Sequence, residues 1–256
     1  MLIDDLRAGA TGDWNSFTYH PFVAGLADGT LPETAFRAYL IQDYRFLVHF
    51  ARAHALAAFK ADTISDLRWS ASAAAGIIDV EMRLHVRYCE TWGITETELE
   101  ATEEAPQNVA YTRFVLDTGL AGDALDLAVS LAPCTVGYGE IGARLAADPA
   151  TLRGPANPYE DWIAAYASEQ YQAGVEDAVD RLEAISARRG GPARLQTLTS
   201  IFARAARLEA AFWQMGLDDC DWGCDRKTHG SSGRIPNQPR SPTSTSSRGT
   251  APDLPR

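Results

Sequence analysis

No stretch of the chain approaches the roughly 20 uninterrupted apolar residues that a membrane-spanning helix needs. The segment Met1–Ala10 mixes Asp4, Asp5 and Arg7 and has no sustained apolar run, so an ordinary secretory signal is not expected and a cytoplasmic location is. Basic residues are the minority: 23 Lys and Arg against 34 Asp and Glu leave a formal net charge of -11. A field of that sign repels phosphate backbones, which argues against nucleic acid as a partner. Cysteine is scarce, four in 256 residues. In a reducing compartment four such residues read as thiols, not as a disulfide framework. Cys220, Cys224 and His229 lack the paired Cys-x-x-Cys spacing of a structural zinc site, and no metal is expected. Alternating β-branched runs are few, and no internal repeat of fixed period occurs.

What remains is a succession of helical patterns. Apolar types make up 46% and charged types 22% of the chain, the proportions of a globular protein. The pattern predicts an all-α fold, a single helical domain over residues 1–217. Residues 218–256 are expected to form a disordered tail, because the Ser, Pro, Arg and Thr of Ser231–Arg256 bury too little surface to offset ordering entropy.

One long helix is predicted to start at Thr30-Leu31-Pro32-Glu33, with Thr30 as cap, Glu33 closing a capping box and Pro32 in the first turn. Its apolar stripe runs Phe36, Tyr39, Leu40, Phe46, Leu47, Phe50, and Asp43 sits within it. A second helix, from about Ser65 to Trp92, stops at Gly93 and carries Ile77, Ile78, Glu81, Leu84, His85 and Tyr88 on one face. A shorter helix near Asn108 to Leu120 brings in Tyr111 and Phe114. The next, from Gly122, contains Pro133, which removes a backbone donor and predicts a kink beside Cys134. Asn157-Pro158-Tyr159 opens a helix with Trp162 and Tyr166, and a bend is expected near Ser168 before the chain continues to about Arg189. The last helix, from about Ala193, shows the stripe Leu198, Phe202, Ala205, Glu209, Phe212.

Three acids thus interrupt apolar faces: Asp43, Glu81 and Glu209. A charge on such a face is costly to bury without a partner. Any one of them fits a stripe edge or a structural ion pair, but three near a kinked helix with a cysteine suggest a site. Cys134 and Tyr138, four apart, share one side of their helix, and Gly137, Gly139 and Gly142 allow a backbone or a ligand to come close. The aromatics Tyr44, Phe46, Tyr111, Tyr138, Trp162, Tyr166 and Trp213 offer surfaces for a flat ring, although such stripes also build cores. Glu81 and His85 stand at i, i+4; a helical di-iron site uses Glu-x-x-His in two copies, and no second copy exists.

The ordered set His20-Pro21-Phe22, Asp28-Gly29-Thr30-Leu31-Pro32, Gln42-Asp43-Tyr44, Ala132-Pro133-Cys134 with Gly137-Tyr138, Trp162-Ile163-Ala164-Ala165-Tyr166, and Glu209-Ala210-Ala211-Phe212-Trp213 resembles the TenA-like thiaminase II family, in its cysteine-containing class. The resemblance covers about Trp14 to Met215. It implies a haem-oxygenase-like helical bundle without haem or another cofactor, a homotetramer, and a small-molecule aminopyrimidine or thiamine substrate. The implied reaction hydrolyses 4-amino-5-aminomethyl-2-methylpyrimidine to the hydroxymethylpyrimidine with release of ammonia, alongside thiamine cleavage, in thiamine salvage. By the same resemblance Cys134 is the nucleophile, Glu209 the catalytic acid and Asp43 the group that binds the amidine edge. Tyr111, Tyr138 and Tyr166 line the pocket, and Phe46 stands where many relatives carry tyrosine. Two alternatives remain open on the residues alone: a non-enzymatic pyrimidine-binding or regulatory protein, and a di-iron oxygenase of the same fold.

Overall fold

In the computed structural model the backbone is described for residues 1–225 and the side chains through Asp218. In chain order the α-helices are α1 (Leu2–Gly9), α2 (Thr11–Thr18), α3 (Pro21–Asp28), α4 (Glu33–Phe59), α5 (Ile64–Gly76), α6 (Met82–Glu90), α7 (Glu96–Ala101), α8 (Pro106–Ala121), α9 (Ala124–Ala147), α10 (Glu160–Ala167), α11 (Glu169–Arg189) and α12 (Leu195–Asp225). Among the described residues there is no strand, and no helix is long and apolar enough to cross a membrane. Helix α12 packs on α2, α4, α8 and α9, and α9 packs in turn on α10 and α11, so these two helices form the interior frame. The α12 stripe reads as predicted: Leu198, Phe202, Ala205, Glu209 and Phe212 are all buried. So is the whole α4 stripe, Asp43 included. Burying each large apolar side chain stabilises by about 1.5–3 kcal/mol, which is what carries one inward acid per stripe.

Some local expectations are corrected. Thr30 does not cap α4: its N–H and hydroxyl both donate to Asp28 Oδ1, at 3.0 and 2.6 Å, within a turn where Gly29 takes φ 74°. Pro32 occupies the cap position without a side-chain bond. The helix predicted from Ser65 to Trp92 begins earlier, at Ile64 with the Thr63 side chain as cap, and its middle is a π-turn, Ile77–Glu81. Ile77 and His85 are buried, whereas Ile78 and Leu84 are 53% and 45% exposed, against the uniform stripe expected. One extra residue in a turn rotates everything after it by about 100°, so a single helical phase does not span the insertion.

Helix α9 runs unbroken through Pro133. Its start is fixed by a capping box between Asp123 and Asp126. The final helix continues past Gly216 through Asp225; the remainder of the expected tail, with His229, lies outside the described residues, as do the side chains of Cys220 and Cys224.

The glycines of α9 serve helix packing. A Cβ on Gly142 would stand 2.6 Å from the Tyr166 backbone carbon, and one on Gly137 would meet the Phe17 ring. These are the close approaches that seat α10 and α2 against the frame. Gly174, inside α11, has nothing within 4 Å of its hypothetical Cβ. Gly142→Ala is therefore expected to lower the unfolding free energy by about 1–3 kcal/mol through overpacking, and Gly174→Ala to raise it by about 0.5–1 kcal/mol through helix propensity. Urea unfolding followed by circular dichroism measures both, and equal effects would contradict the packing assignment.

Candidate active site

Seven helices, α4, α6 and α8 to α12, and the π-turn deliver side chains to one interior region. Helix α4 presents Tyr39 and Asp43 one turn apart, with Phe46 on the following turn; α8 presents Tyr111, α9 Cys134 and Tyr138, α10 Trp162 and Tyr166, and α12 Glu209. Glu209 lies beside the Cys134 thiol, and each acts on the protonation of the other. The Tyr111 hydroxyl donates to Glu209 Oε1 at 2.7 Å. Around them the Tyr138 and Tyr166 rings lie 5.0 Å apart by centroid, Trp162 lies 4.5 Å from Tyr166, and Trp213 lies 5.2 Å from Tyr138. Phe46 packs at 5.1 Å on Tyr111 and 5.4 Å on Phe50, forming the wall behind Tyr111.

Asp43 is held by two groups. His85 Nε2 lies 2.6 Å from Asp43 Oδ2, and the Tyr39 hydroxyl donates to the same oxygen at 3.3 Å. The other ring nitrogen, Nδ1, lies 3.0 Å from the Glu81 backbone carbonyl. The Glu81 side chain is partly buried and acts electrostatically on His85 and Cys134, while Asp43 acts on it in turn.

Three carboxyls, a thiol and one imidazole, of which Glu81 and Cys134 are half-buried, set one another's protonation. Burial, reinforced by the charge of Asp43, pushes the Glu209 carboxyl up to about 8, against the pull of hydrogen bonds from Tyr111 and Cys134. Burial likewise raises Glu81 to about 7, Asp43 adding to the rise and His85 opposing it. For His85, burial acts to lower the value, but the hydrogen bond and charge of Asp43, with Glu81, carry it up to about 9. The Cys134 thiol is driven well above its ordinary value by burial and then by the neighbouring carboxyls. In the ligand-free site sulfur is therefore a thiol, and any nucleophilic step must remove its proton.

All seven residues singled out in the sequence, Asp43, Phe46, Tyr111, Cys134, Tyr138, Tyr166 and Glu209, converge here, with Phe46 contributing apolar wall. Tyr44 does not join them: it sits on another face of α4, where its hydroxyl reaches Glu96 on α7 at 3.4 Å. Two further site tyrosines carry no signal in the sequence. Tyr39 reads there as core, although it precedes Asp43 by one helical turn. Tyr171 opens α11; its hydroxyl reaches the Thr135 carbonyl at 3.4 Å, and its ring lies 4.8 Å from Tyr166. A separate, mostly apolar cavity lies between α4, α5, α9 and α11, lined by His54, Trp69 and several alanines. It contains none of Asp43, Glu81 or Glu209, so the acid–thiol chemistry lies elsewhere. Among the described residues no group of three or more His, Cys, Asp or Glu is placed to share a metal ion, and His85 has both nitrogens engaged.

Fold and site together define an all-helical protein in which carboxyls and a thiol from different helices meet among aromatic rings. The signature of the TENA/THI-4/PQQC family matches residues 8–219, and the chain belongs to that family. It is 34% identical over 211 residues to an aminopyrimidine aminohydrolase of Halalkalibacterium halodurans, covering 82% of this chain and 92% of that one. The crystal structure of a TenA family transcription regulator from Silicibacter superposes with a TM-score of 0.79 at 43% identity, covering 85% of this chain and 96% of the other. A Shewanella denitrificans domain with a heme oxygenase-like fold superposes with a TM-score of 0.69 at 14% identity, covering 90% and 98%; that likeness concerns the fold alone. The architecture is thus the haem-oxygenase-like bundle.

The raised Glu209 value has a stability consequence. A carboxyl that holds its proton in the folded state up to about 8, against an ordinary 4.5, contributes stability that is complete below 4.5 and is lost as pH rises through 8. Glutamine does not titrate. Glu209→Gln is therefore expected to gain on the wild type steadily from pH 5 to pH 8.5 in guanidinium unfolding. A difference that stays flat over that range would show Glu209 to be ionised throughout.

Proposed function

We propose that the chain is an aminopyrimidine aminohydrolase of the thiaminase II type, hydrolysing 4-amino-5-aminomethyl-2-methylpyrimidine to the hydroxymethylpyrimidine and ammonia, with thiamine cleavage as a second activity, in thiamine salvage. The observation that carries this reading is the half-buried Cys134 beside a Glu209 that accepts from Tyr111, among aromatic rings that suit a flat heterocycle. The similarity to an aminopyrimidine aminohydrolase supports it.

The chemistry follows from the proton inventory. A thiol adds to an electron-poor ring carbon only if its proton leaves and the charge developing on a ring nitrogen is neutralised. A protonated Glu209 does both: one carboxyl oxygen gives its proton to the ring nitrogen while the other takes the proton of Cys134. The S–H bond is exchanged for S–C, and no net charge is created in the dry pocket. Electrons of the adduct then break the exocyclic C–N bond to leave a methylene group, the amine taking a proton from Glu209 and departing as ammonia, or the thiazole of thiamine departing as the neutral ring. Water adds to that methylene, the C–S bond breaks, and Cys134 recovers its proton. Tyr111 holds Glu209 in place, Asp43 accepts from the amino group of the pyrimidine, and Tyr138, Tyr166 and Phe46 enclose the ring.

The homotetramer belongs to the same proposal. Phe59, Ile64, Leu67, Ile78, Val80 and Leu84 are all exposed along the end of α4 and the α5–π–α6 stretch. A stripe of that kind marks an interaction surface, and a second copy of the chain is its occupant here.

Two outcomes are expected. Cys134→Ala abolishes ammonia release while a folded protein still binds the pyrimidine, and Glu209→Gln slows turnover by about 10²–10⁴-fold, the usual contribution of a positioned acid. In the wild type kcat/KM should fall as pH rises through about 8, and this limb should vanish in the Glu209→Gln variant; full activity of Cys134→Ala in a coupled ammonia assay would overturn the assignment. For assembly, Leu84→Glu should shift the sedimentation profile from tetramer toward smaller species, and a wild type that sediments as a monomer would remove the tetramer.

A further inference from the structure

The His85 imidazole is buried and takes no part in the steps above. Its surroundings nevertheless fix its state. Nδ1 faces the Glu81 carbonyl oxygen at 3.0 Å and Nε2 faces Asp43 Oδ2 at 2.6 Å. A neutral imidazole has one N–H and one lone pair, so it would satisfy one of these oxygens and set a lone pair against the other. Only the imidazolium donates to both. A buried cation in turn needs a countercharge in contact, and Asp43 supplies it at ion-pair distance.

The pairing also decides which part of Asp43 remains for a ligand. Oδ2 is occupied by His85 and Tyr39, and no protein hydrogen bond reaches Oδ1 among the described residues. The groups coupled to this pair come from every side: Tyr39 from α4, Glu81 from the π-turn, Tyr111 from α8, Cys134 and Tyr138 from α9, Tyr166 from α10 and Glu209 from α12. Each of these groups, once ionised, is an anion beside the Asp43 carboxyl. Among the described residues His85 is the cation that opposes them.

We infer that His85 is the positioning residue of this site: bracketed between the Glu81 carbonyl and Asp43 Oδ2, it holds the Asp43 carboxyl in place and presents Oδ1 as the lone acceptor for one N–H donor of the ligand. The specificity consequence is that the site requires a donor at that point, the amino group of a 4-aminopyrimidine, and rejects a ring bearing an acceptor there. A carboxylate fixed in this way has no proton to offer and no second oxygen free to rearrange. The inference rests on the pyrimidine reading for the identity of the ligand, but not for the state of His85.

The test uses the full-length protein and two variants. Removing a charge-assisted hydrogen bond should raise KM for 4-amino-5-aminomethyl-2-methylpyrimidine about 10–100-fold in His85→Leu, with kcat changed far less because Cys134 and Glu209 are intact. His85→Gln, which keeps a donor near Asp43 without the charge, should recover part of that loss. Binding of 4-amino-5-hydroxymethyl-2-methylpyrimidine by calorimetry should weaken in the same order. Nitrogen-15 spectra of the ligand-free wild type should show both His85 ring nitrogens protonated at pH 7.5, and Asp43→Asn should abolish that state. Folded His85→Leu with unchanged KM, or a neutral His85 at pH 7.5, overturns the inference. A doubly protonated His85 in a protein that neither binds nor turns over the pyrimidine would support the bracketed imidazolium and sink the proposed function alone.

Discussion

Three carboxyl groups, two buried and one half-buried, meet at a site that holds one cation among the described residues, and this imbalance governs the site. Asp43 is paired with His85, so the ion pair is neutral as a unit. Glu81 and Glu209 have no such partner, and burial pushes both toward the protonated form near neutral pH. The pocket therefore contains a fixed anion and a fixed cation in contact, together with acids whose protons move easily. A reaction that must transport protons without creating charge finds its acid there already assembled. The same surroundings keep the half-buried Cys134 as a thiol, which ties its reactivity to the carboxyl beside it.

The scaffold gives this arrangement its rigidity. Asp43 and Glu209 each lie within a stripe of large buried side chains, on α4 and on α12, so each carboxyl is positioned by packing on both sides along its helix. The glycines of α9 bring α2 and α10 close enough to wall the pocket with Phe17 and Tyr166. The π-turn before α6 sets the phase in which His85 faces Asp43; such insertions in helices recur at functional sites because they re-aim side chains without breaking the backbone ladder.

Much of this is legible in the chain itself. The stripes on α4 and α12, the inward Asp43 and Glu209, the Cys134–Tyr138 pair and the bend at Ser168 all follow from the helical period and from cap chemistry. Thr30 misleads because a short polar side chain beside a glycine turn serves the turn as readily as the helix. Ile78 and Leu84 mislead because a π-turn has no sequence signature strong enough to reveal where the phase slips. Tyr39 and Tyr171 stay hidden because an aromatic at helical spacing looks the same whether its hydroxyl meets a carboxylate, a carbonyl or nothing.

The sequence by itself determined that the chain is helical, which face of each long helix turns inward, and that acids and a thiol lie on those faces, since helix formation and side-chain periodicity depend on neighbours within a few residues. Tertiary structure alone decided which of these groups meet. Asp43 finds His85 42 positions away and Tyr111 finds Glu209 98 positions away. Those meetings are set by how whole helices cross and dock, and with them come the burial and the partner charges that fix each group's protonation.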